Sequence, residues 1–453
     1  MNSKKLPEYF PEDWRFGTDG IRGPLERMNP LFMVKLGYAA GKALVEQGIS
    51  KVLIGKDTRI SGYMIESALE AGFISAGLDV ILLGPLPTPA VAYLAKSNKQ
   101  AGLAISASHN SYEDNGIKIF NKDGFKISYE FEKEIETKLF DETSVVEPSK
   151  LGKASRMNDA GGRYIEFCKS SVPNLDLTGL SLVVDCANGA NYIVAPQTFS
   201  ELGASVITVG TSPDGININQ DCGSTNPARL KKEVLLNKAD LGIGFDGDGD
   251  RLLVVDKEGK ILDGDDLLYT LISTKKANFD KQQNSLGVVG TLMTNKSLEI
   301  YLDREGINFY RADVGDKYVL RELIKRKLVL GGEPSGHIIC LDSTTTADAL
   351  IASLQVLSAI KKSNFDFSTI LKNFKKFPQE LISLNVSSPQ TIIMNERIRS
   401  EVSKLEKKLG SNGRVLLRPS GTEPLVRVMV EATSKDLAKD LAQELAKFIR
   451  KAA

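Results

Sequence analysis

One layout recurs three times along the chain and limits the fold more than any other feature. An apolar run ends in polar residues, a helical stretch follows, a glycine closes it, and a second short apolar run begins. Lys51-Val-Leu-Ile-Gly-Lys-Asp-Thr-Arg59 leads to a helix over 63–76, then Gly77 and a strand over 80–83. Leu182-Val-Val-Asp-Cys-Ala-Asn-Gly189 leads to a helix, Gly203 and a strand over 205–209. Gly287-Val-Val-Gly-Thr291 leads to a helix from about Thr294, then Gly306 and a strand over 308–311. Each is a strand–helix–strand unit, and their unequal, long periods mark duplicated domains rather than a solenoid. From Phe377 the pattern changes to a strand over 381–386, a helix over 396–409 and two alternating strands over 414–418 and 425–430. A last amphipathic helix carries Leu437, Leu441, Leu445 and Phe448. The expected fold is α/β: three tandem similar mixed-sheet domains over 1–160, 161–265 and 266–375, and a smaller C-terminal α+β domain over 376–453, around one central cleft.

Composition removes whole classes of function. Of 453 residues, 42% are hydrophobic and 25% charged, as in ordinary globular enzymes. A net charge of +1 gives no electrostatic basis for nucleic-acid or anionic-membrane partners. No uncharged apolar run reaches the ~18 residues of a membrane span; the apolar stretch 349–360 reads as a buried helix. No signal-peptide pattern follows Lys4 and Lys5, and the four cysteines form no CxxC pair. A reduced, cytoplasmic protein without disulfides or zinc is expected. The two histidines, His109 and His337, both fall in stretches that stand out on other grounds.

Four polar loops carry the candidate chemistry. In Ala104-Ile-Ser-Ala-Ser-His-Asn-Ser-Tyr-Glu-Asp-Asn-Gly-Ile-Lys-Ile-Phe120, an apolar approach meets Ser106, Ser108, His109 and Asn110 before the chain turns back towards Lys118. This reads as strand, tight exposed loop, strand. Ser108, with an imidazole beside it and an amine nearby, suits phosphoryl or acyl transfer through serine; a polar hairpin bonding its own backbone is the plainer alternative. In Asp240-Leu-Gly-Ile-Gly-Phe-Asp-Gly-Asp-Gly-Asp-Arg251, Asp246, Asp248 and Asp250 alternate with glycine. Three close carboxylates repel unless a hard divalent cation joins them, and oxygen donors favour Mg2+ or Ca2+ over zinc. An EF-hand is excluded because Arg251 replaces its glycine and Lys257 its final glutamate.

In Leu330-Gly-Gly-Glu-Pro-Ser-Gly-His337, alternation places Glu333, Ser335 and His337 on one side of an extended loop, suited to sugar hydroxyls; an ordinary turn explains the stretch equally well. In Leu417-Arg-Pro-Ser-Gly-Thr-Glu-Pro-Leu-Val-Arg427, the residues Arg418, Ser420, Gly421, Thr422 and Arg427 offer guanidinium groups, hydroxyls and free amides to a phosphate. A capped turn is the alternative there. Arg22 lies in Phe16-Gly-Thr-Asp-Gly-Ile-Arg-Gly23, a glycine loop suited to an anion.

In this order the loops resemble those of the α-D-phosphohexomutase superfamily over nearly the whole chain. The Ser-Ala-Ser-His-Asn stretch is similar to that family's phosphoserine loop, Asp-Gly-Asp-Gly-Asp-Arg to its metal loop, Gly-Glu-Pro-Ser-Gly-His to its sugar-binding loop and Arg-Pro-Ser-Gly-Thr-Glu-Pro to its phosphate-binding loop. The segments Phe16 to Gly23, Gly55-Lys-Asp-Thr-Arg-Ile-Ser-Gly62, Val184-Asp-Cys-Ala-Asn-Gly189, Cys222-Gly-Ser-Thr225 and Ser420-Gly-Thr-Glu-Pro424 resemble its bacterial phosphoglucosamine mutase branch. Phosphomannomutase/phosphoglucomutase is the alternative within the family. Three positions depart from the pattern: Ser111 where proline is general, Pro334 where the glucosamine branch has glutamine, and Lys317 where arginine is common.

The resemblance implies a mechanism. Phosphorylated Ser108, with Asp246, Asp248 and Asp250, would hold one Mg2+. A sugar 1,6-bisphosphate would be both activator and intermediate in interconverting glucosamine 6-phosphate and glucosamine 1-phosphate, which supplies UDP-N-acetylglucosamine and cell-wall synthesis. Lys118 would be the general base if the Mg2+ and nearby arginines depress its pKa. His109, Arg22 and Arg251 would stabilise transferring charge, and His337 would assist proton movement. Glu333, Ser335 and Lys317 would bind substrate, and the loop from Arg418 through Ser420, Gly421 and Thr422 to Arg427 would hold the non-reacting phosphate. The partner is then a small-molecule sugar phosphate, with homodimerisation left open and hinge motion of the last domain expected. The rival from another class is a serine hydrolase using Ser108 and His109; adjacent residues rarely present a nucleophile and base to each other, and no Gly-x-Ser-x-Gly elbow is present.

Overall fold

The computed structural model describes residues 10–452 apart from 12–13, 18, 280–286 and 420–423. Its contacts divide the chain into two compact units, Met1–Leu292 with Tyr310–Phe367, and Met293–Phe309 with Ser368–Ala453.

The first unit is built on one repeated device, in which parallel strands are followed by an antiparallel hairpin. Strand Lys51–Lys56 pairs in parallel with Asp79–Pro85 and with Ala101–Ile105, and Ala101–Ile105 then pairs antiparallel with Asp114–Phe120. Strands Ile21–Pro24 and Ala154–Arg156 complete a six-stranded sheet. In the next sheet Ser181–Asp185 is parallel to Ser205–Val209 and Leu241–Phe245, and Leu241–Phe245 forms a hairpin with Leu252–Asp256. In the third, Gly287–Thr291 is parallel to Leu330–Gly332, which forms a hairpin with Ile338–Cys340. The three hairpin turns are the serine loop, the aspartate loop and the Glu333–His337 loop. The recurring layout thus appears as read. The helices Ser61–Ser75 and Val194–Glu201 here, and Lys296–Arg304 of the second unit, are followed by Gly77, Gly203 and Gly306, all at positive φ, which is how glycine ends a helix.

The strands buried on both faces are continuous apolar runs: Val52, Leu53 and Ile54, and Leu182, Val183 and Val184, are fully covered. The stretch Ala349–Ile360 is the buried helix its composition implies. Among the described residues no helix is long and apolar enough to cross a membrane.

In the second unit, strands Gln379–Asn385, Leu425–Glu431 and Arg414–Pro419 form an antiparallel sheet in that order, packed with helices Glu396–Leu409 and Lys435–Ala452. The last helix departs from its expected stripe. Leu437 is exposed, and Ala438, Leu441, Ala442, Leu445 and Ile449 enter the core. Small alanines let this helix lie close to the sheet, so the buried face lies one residue on from the leucine that opened the pattern.

The Glu333–His337 turn depends on one glycine. Gly336 has φ +96, and a β-carbon there would stand 2.3 Å from the Leu252 carbonyl oxygen of the neighbouring hairpin. Its own carbonyl accepts the Leu252 N–H at 3.0 Å, fastening the two hairpins together. Gly336→Ala is expected to destabilise the protein by about 2 kcal/mol or more, read as a lowered urea midpoint. A midpoint equal to wild type would show that this contact gives way freely.

Candidate active site

The serine loop is less exposed than its sequence implies. Residues 101–108 are buried, with Ser108 2% exposed, and exposure begins only at residues 111–113. Burial follows from what lies against it. The Ser108 hydroxyl donates to Asp246 Oδ2 at 2.6 Å. A β-carbon on Gly247 would stand 2.6 Å from the Ser108 carbonyl oxygen, so the aspartate loop approaches this closely because its spacer is glycine.

Asp246, Asp248 and Asp250 each present a carboxylate oxygen within 4.8 Å of the others, and all three are buried. Two groups organise them. Asp246 Oδ1 accepts the N–H groups of Asp250 and Arg251, each at 3.1 Å. Asp248 is gripped by Thr88 at the start of helix Thr88–Asn98: the Thr88 N–H donates to its carbonyl at 2.9 Å and the hydroxyl to Oδ2 at 2.8 Å. Asp248 Oδ1 is buried with no hydrogen-bond partner. Hard oxygen donors, converging and one of them unused, fit a divalent cation such as Mg2+.

Lys118, 1% exposed, points at the same cluster. Its amine donates to Asp248 Oδ2 at 2.9 Å and Asp250 Oδ2 at 3.4 Å and pairs with Asp19 Oδ2 at 3.2 Å. Burial alone would depress this amine and Arg22 pushes the same way. The three carboxylates outweigh both and hold it well above its ordinary value. That is opposite to the depression expected of a general base, as seen among the chain's own groups. Asp246 moves upward through burial and through repulsion by Asp250 and Asp248.

His109 and His337 diverge. His109 Nδ1 lies 3.3 Å from the Ser108 hydroxyl, so adjacent residues do face each other here. Burial, then the neighbouring Arg251 and Arg22, lower its pKa to about 4, leaving it neutral at pH 7. His337 has Nε2 2.9 Å from Asp250 Oδ1 and Nδ1 2.9 Å from Glu333 Oε2. Burial opposes its charge, but Asp250 and Glu333 raise its pKa to about 10. Glu333 Oε1 also accepts the Gly315 N–H at 2.9 Å. The loop is therefore a hairpin turn, not an extended segment. Glu333 and His337 meet across the ladder, and Ser335 is exposed at the tip. Arg251 lies beside His337, its Nε 3.3 Å from Nε2. Arg22 pairs with Asp19, and Lys317 with Glu132 at 3.2 Å.

In the other unit, Arg418 and Arg427 are cross-strand partners flanking the hairpin turn. Burial and then Arg427 lower the pKa of Arg418. Ser420, Gly421 and Thr422 lie outside the described residues.

Comparison with known proteins gives this geometry a lineage. Family models for phosphoglucomutase/phosphomannomutase match in series: alpha/beta/alpha domain I over 14–146, domain II over 162–259, domain III over 263–377 and the C-terminal domain over 381–448. A phosphoglucosamine mutase of Alcanivorax borkumensis is 52% identical over 440 residues, 96% of this chain and 98% of that one. The chain belongs to the phosphoglucosamine mutase family of phosphohexomutases. Membership makes it an intramolecular phosphotransferase of the isomerase class. A crystal structure of a phosphoglucomutase/phosphomannomutase family protein from Burkholderia thailandensis shares the fold, with TM-score 0.80 at 24% identity over 96% of this chain and 97% of that one. So does N-acetylphosphoglucosamine mutase of Aspergillus fumigatus, solved with GlcNAc-6P and magnesium, with TM-score 0.68 at 17% identity over 97% and 96% of the two chains.

Several groups to which the sequence assigned no role complete this arrangement. Asp19 gathers Arg22, Lys118 and Lys126, and Lys126 also reaches Asp316 at 2.8 Å. Thr88 and Asn219 brace the loops from outside the motifs, and Asp57 and Arg59 do so from within the Gly55–Gly62 segment, to which no chemical role was assigned from sequence. A second signal for Asp57 and Arg59 is position: they follow the carboxyl end of a buried parallel strand, where α/β sheets place ligands.

Lys118 is the counter-charge for several buried carboxylates. Removing one partner from such a group leaves uncompensated buried charge, so Lys118→Met should cost about 3 kcal/mol or more in EDTA. A urea midpoint within about 0.5 kcal/mol of wild type, the range of an ordinary surface lysine, would contradict this arrangement.

Proposed function

We propose that the chain interconverts glucosamine 6-phosphate and glucosamine 1-phosphate, with phosphorylated Ser108 as carrier and glucosamine 1,6-bisphosphate as intermediate. The observation that carries this reading is the Ser108 hydroxyl 2.6 Å from Asp246, beside two further buried carboxylates and Lys118. The choice of amino sugar is supported by phosphoglucosamine mutase relatives matched over nearly the whole chain. The four family-model spans support reading it as four domains bounded near 160, 265 and 375.

Phosphoserine 108 gives its phosphoryl group to the 6-hydroxyl of glucosamine 1-phosphate: the serine oxygen–phosphorus bond breaks, the bond from phosphorus to the sugar 6-oxygen forms, and the hydroxyl proton passes by way of Lys118 to the serine oxygen, the reverse proton transfer accompanying the second step. The bisphosphate turns over, and its 1-phosphoryl group returns to the Ser108 oxygen, leaving glucosamine 6-phosphate. Asp246, Asp248, Asp250 and the phosphoserine would hold one Mg2+. That ion, when bound, would neutralise phosphoryl oxygens and draw on the carboxylate charge that keeps Lys118 protonated. Lys118 carries positive charge at the transferring group and becomes a base only as those carboxylates are engaged elsewhere. Neutral His109 acts by hydrogen bonding, and Arg22 and Arg251 by charge. His337 holds Glu333 in place for the sugar with Ser335, and Lys317 is the further substrate contact. Arg418 and Arg427, two mutually repelling guanidinium groups, hold the non-reacting phosphate with Ser420, Gly421 and Thr422.

A second reading, phosphomannomutase/phosphoglucomutase, rests on Pro334, which stands beside Glu333 in place of the glutamine of the glucosamine branch. The two part in an assay with Mg2+ and a trace of sugar 1,6-bisphosphate. Glucosamine 1-phosphate is expected to lead mannose and glucose 1-phosphates in kcat/KM by tenfold or more, about 1.4 kcal/mol. A lead by either rival would overturn the amino-sugar assignment. Ser108→Ala should keep its fold and turn over below about 10⁻⁴ of wild type; full activity would sink the phosphoserine mechanism. Mg2+ at about 100 times its Kd should stabilise wild type by about 2.7 kcal/mol, read as a raised Tm. Asp248→Asn should lose most of that rise, and a variant stabilised as wild type is would show the loop to be structural.

A further inference from the structure

Ser108 has φ +55, in the left-handed region. A non-glycine residue there costs about 1 kcal/mol or more, so the surroundings must hold it. Its N–H donates to the Ser106 hydroxyl oxygen at 2.9 Å, and that hydroxyl donates to Asp57 Oδ2 at 2.5 Å. Its carbonyl accepts from Arg59 Nη2 at 3.3 Å and from Asn219 Nδ2 at 2.9 Å. The same two side chains collect the carbonyls that follow. Arg59 Nη2 donates to Asn110 O at 2.6 Å and to Ser111 O at 3.3 Å, and Asn219 Nδ2 donates to Asn110 O at 2.9 Å.

The clamp is costly to build. Arg59 is 1% exposed and ion-paired with the equally buried Asp57, whose Oδ1 accepts the Arg59 N–H at 3.0 Å. Buried pairs of this kind are often no more stabilising than apolar side chains of the same volume. What this one supplies is geometry: a planar fork whose donors reach three carbonyls of one loop. Arg59 follows a strand of the six-stranded sheet. Asn219 reaches in beside the neighbouring sheet, its N–H donating to Ala187 O at 2.8 Å, so the loop is gripped from two sides.

We propose that Arg59 and Asn219, with Asp57 behind them, are positioning residues that fix the backbone of residues 108–111 so that the Ser108 oxygen stays aimed at the carboxylate cluster through both phosphoryl transfers. This rests on the reading of Ser108 as carrier. The bonds go to backbone carbonyls, so loosening them lets the serine relax towards negative φ and swing its oxygen away. The chemical step then slows, because transfer depends on approach geometry, while sugar contacts made by other loops persist.

Two variants test the clamp. Asn219 itself has φ +60, so Asn219→Gly removes the amide and keeps a relaxed backbone. Arg59→Lys keeps a charge for Asp57 and loses the fork. Both are assayed with glucosamine 1-phosphate, Mg2+ and sugar 1,6-bisphosphate at a temperature where urea curves show them folded, and phosphate on Ser108 is located by mass spectrometry. The expected result is a kcat lowered about 10- to 100-fold, greater for Arg59→Lys, with KM within about twofold. If Arg59→Lys does not fold, Asn219→Gly decides alone. Wild-type kcat per folded molecule, with wild type itself phosphorylated on Ser108, overturns the clamp and leaves the carrier reading intact. A wild type that takes no phosphate on Ser108 overturns both.

Discussion

Like-charge repulsion among Asp246, Asp248 and Asp250 is the constraint on which the rest of the first unit depends. Two unit charges about 4 Å apart interact by about 4 kcal/mol at an effective dielectric of ~20, and here three carboxylates are buried within 4.8 Å. Within the loop only Arg251 and the backbone N–H groups from which Asp246 accepts work against it, since the spacers are glycines. Relief comes from elsewhere: Lys118 from the serine hairpin, His337 from the Glu333–His337 hairpin and Thr88 from a helix N-terminus. Each of these groups is delivered by a different part of the sheet framework, so the electrostatics of one loop fix how three hairpins meet. The same concentration of negative charge suits a divalent cation, whose positive charge, with that of Lys118, would in turn attract a phosphoryl group, so the tension that assembles the site is also what its proposed chemistry would use.

This explains why the fold was so legible. A parallel strand buried on both faces reads as an apolar run, and a hairpin turn at its end reads as a burst of glycine and polar residues. Both signals are local. Helix Glu396–Leu409 and helix Ala349–Ile360 occur at the residues their patterns mark. The serine, aspartate and Glu333–His337 motifs were legible for the same reason, since each lies within a few residues of one turn. Leu437 shows the limit. A helix stripe fixed by leucines alone misses that alanines can form the closer contact.

What stayed illegible is bonded across sequence rather than along it. Asp19 lies in a glycine loop whose obvious charge is Arg22, yet it is the hub for Arg22, Lys118 and Lys126. Thr88 belongs to no motif, yet from the start of its helix it grips Asp248. Asn219 has no motif and touches the serine loop over a separation of 111 residues. Exposure was misjudged for a related reason. A polar loop is expected to face water, but Ser106 and Ser108 face Asp57 and Asp246, and a polar surface can be buried wherever another polar surface completes it.

Glu333 carries that argument to specificity. Both of its oxygens are already engaged, one by the Gly315 N–H and one by His337. Each carboxylate oxygen has a second lone pair, so Glu333 can still accept from a sugar hydroxyl, but only along directions that these partners leave open. The protonated His337 that fixes it is itself fixed by Asp250, so Glu333 and the aspartate cluster are joined through one imidazolium. A substitution at Pro334 changes the tip of this turn, not that linkage. On the proposed reading, a change at the tip alters sugar contacts while the Glu333–His337–Asp250 linkage beside the carboxylate cluster keeps its geometry.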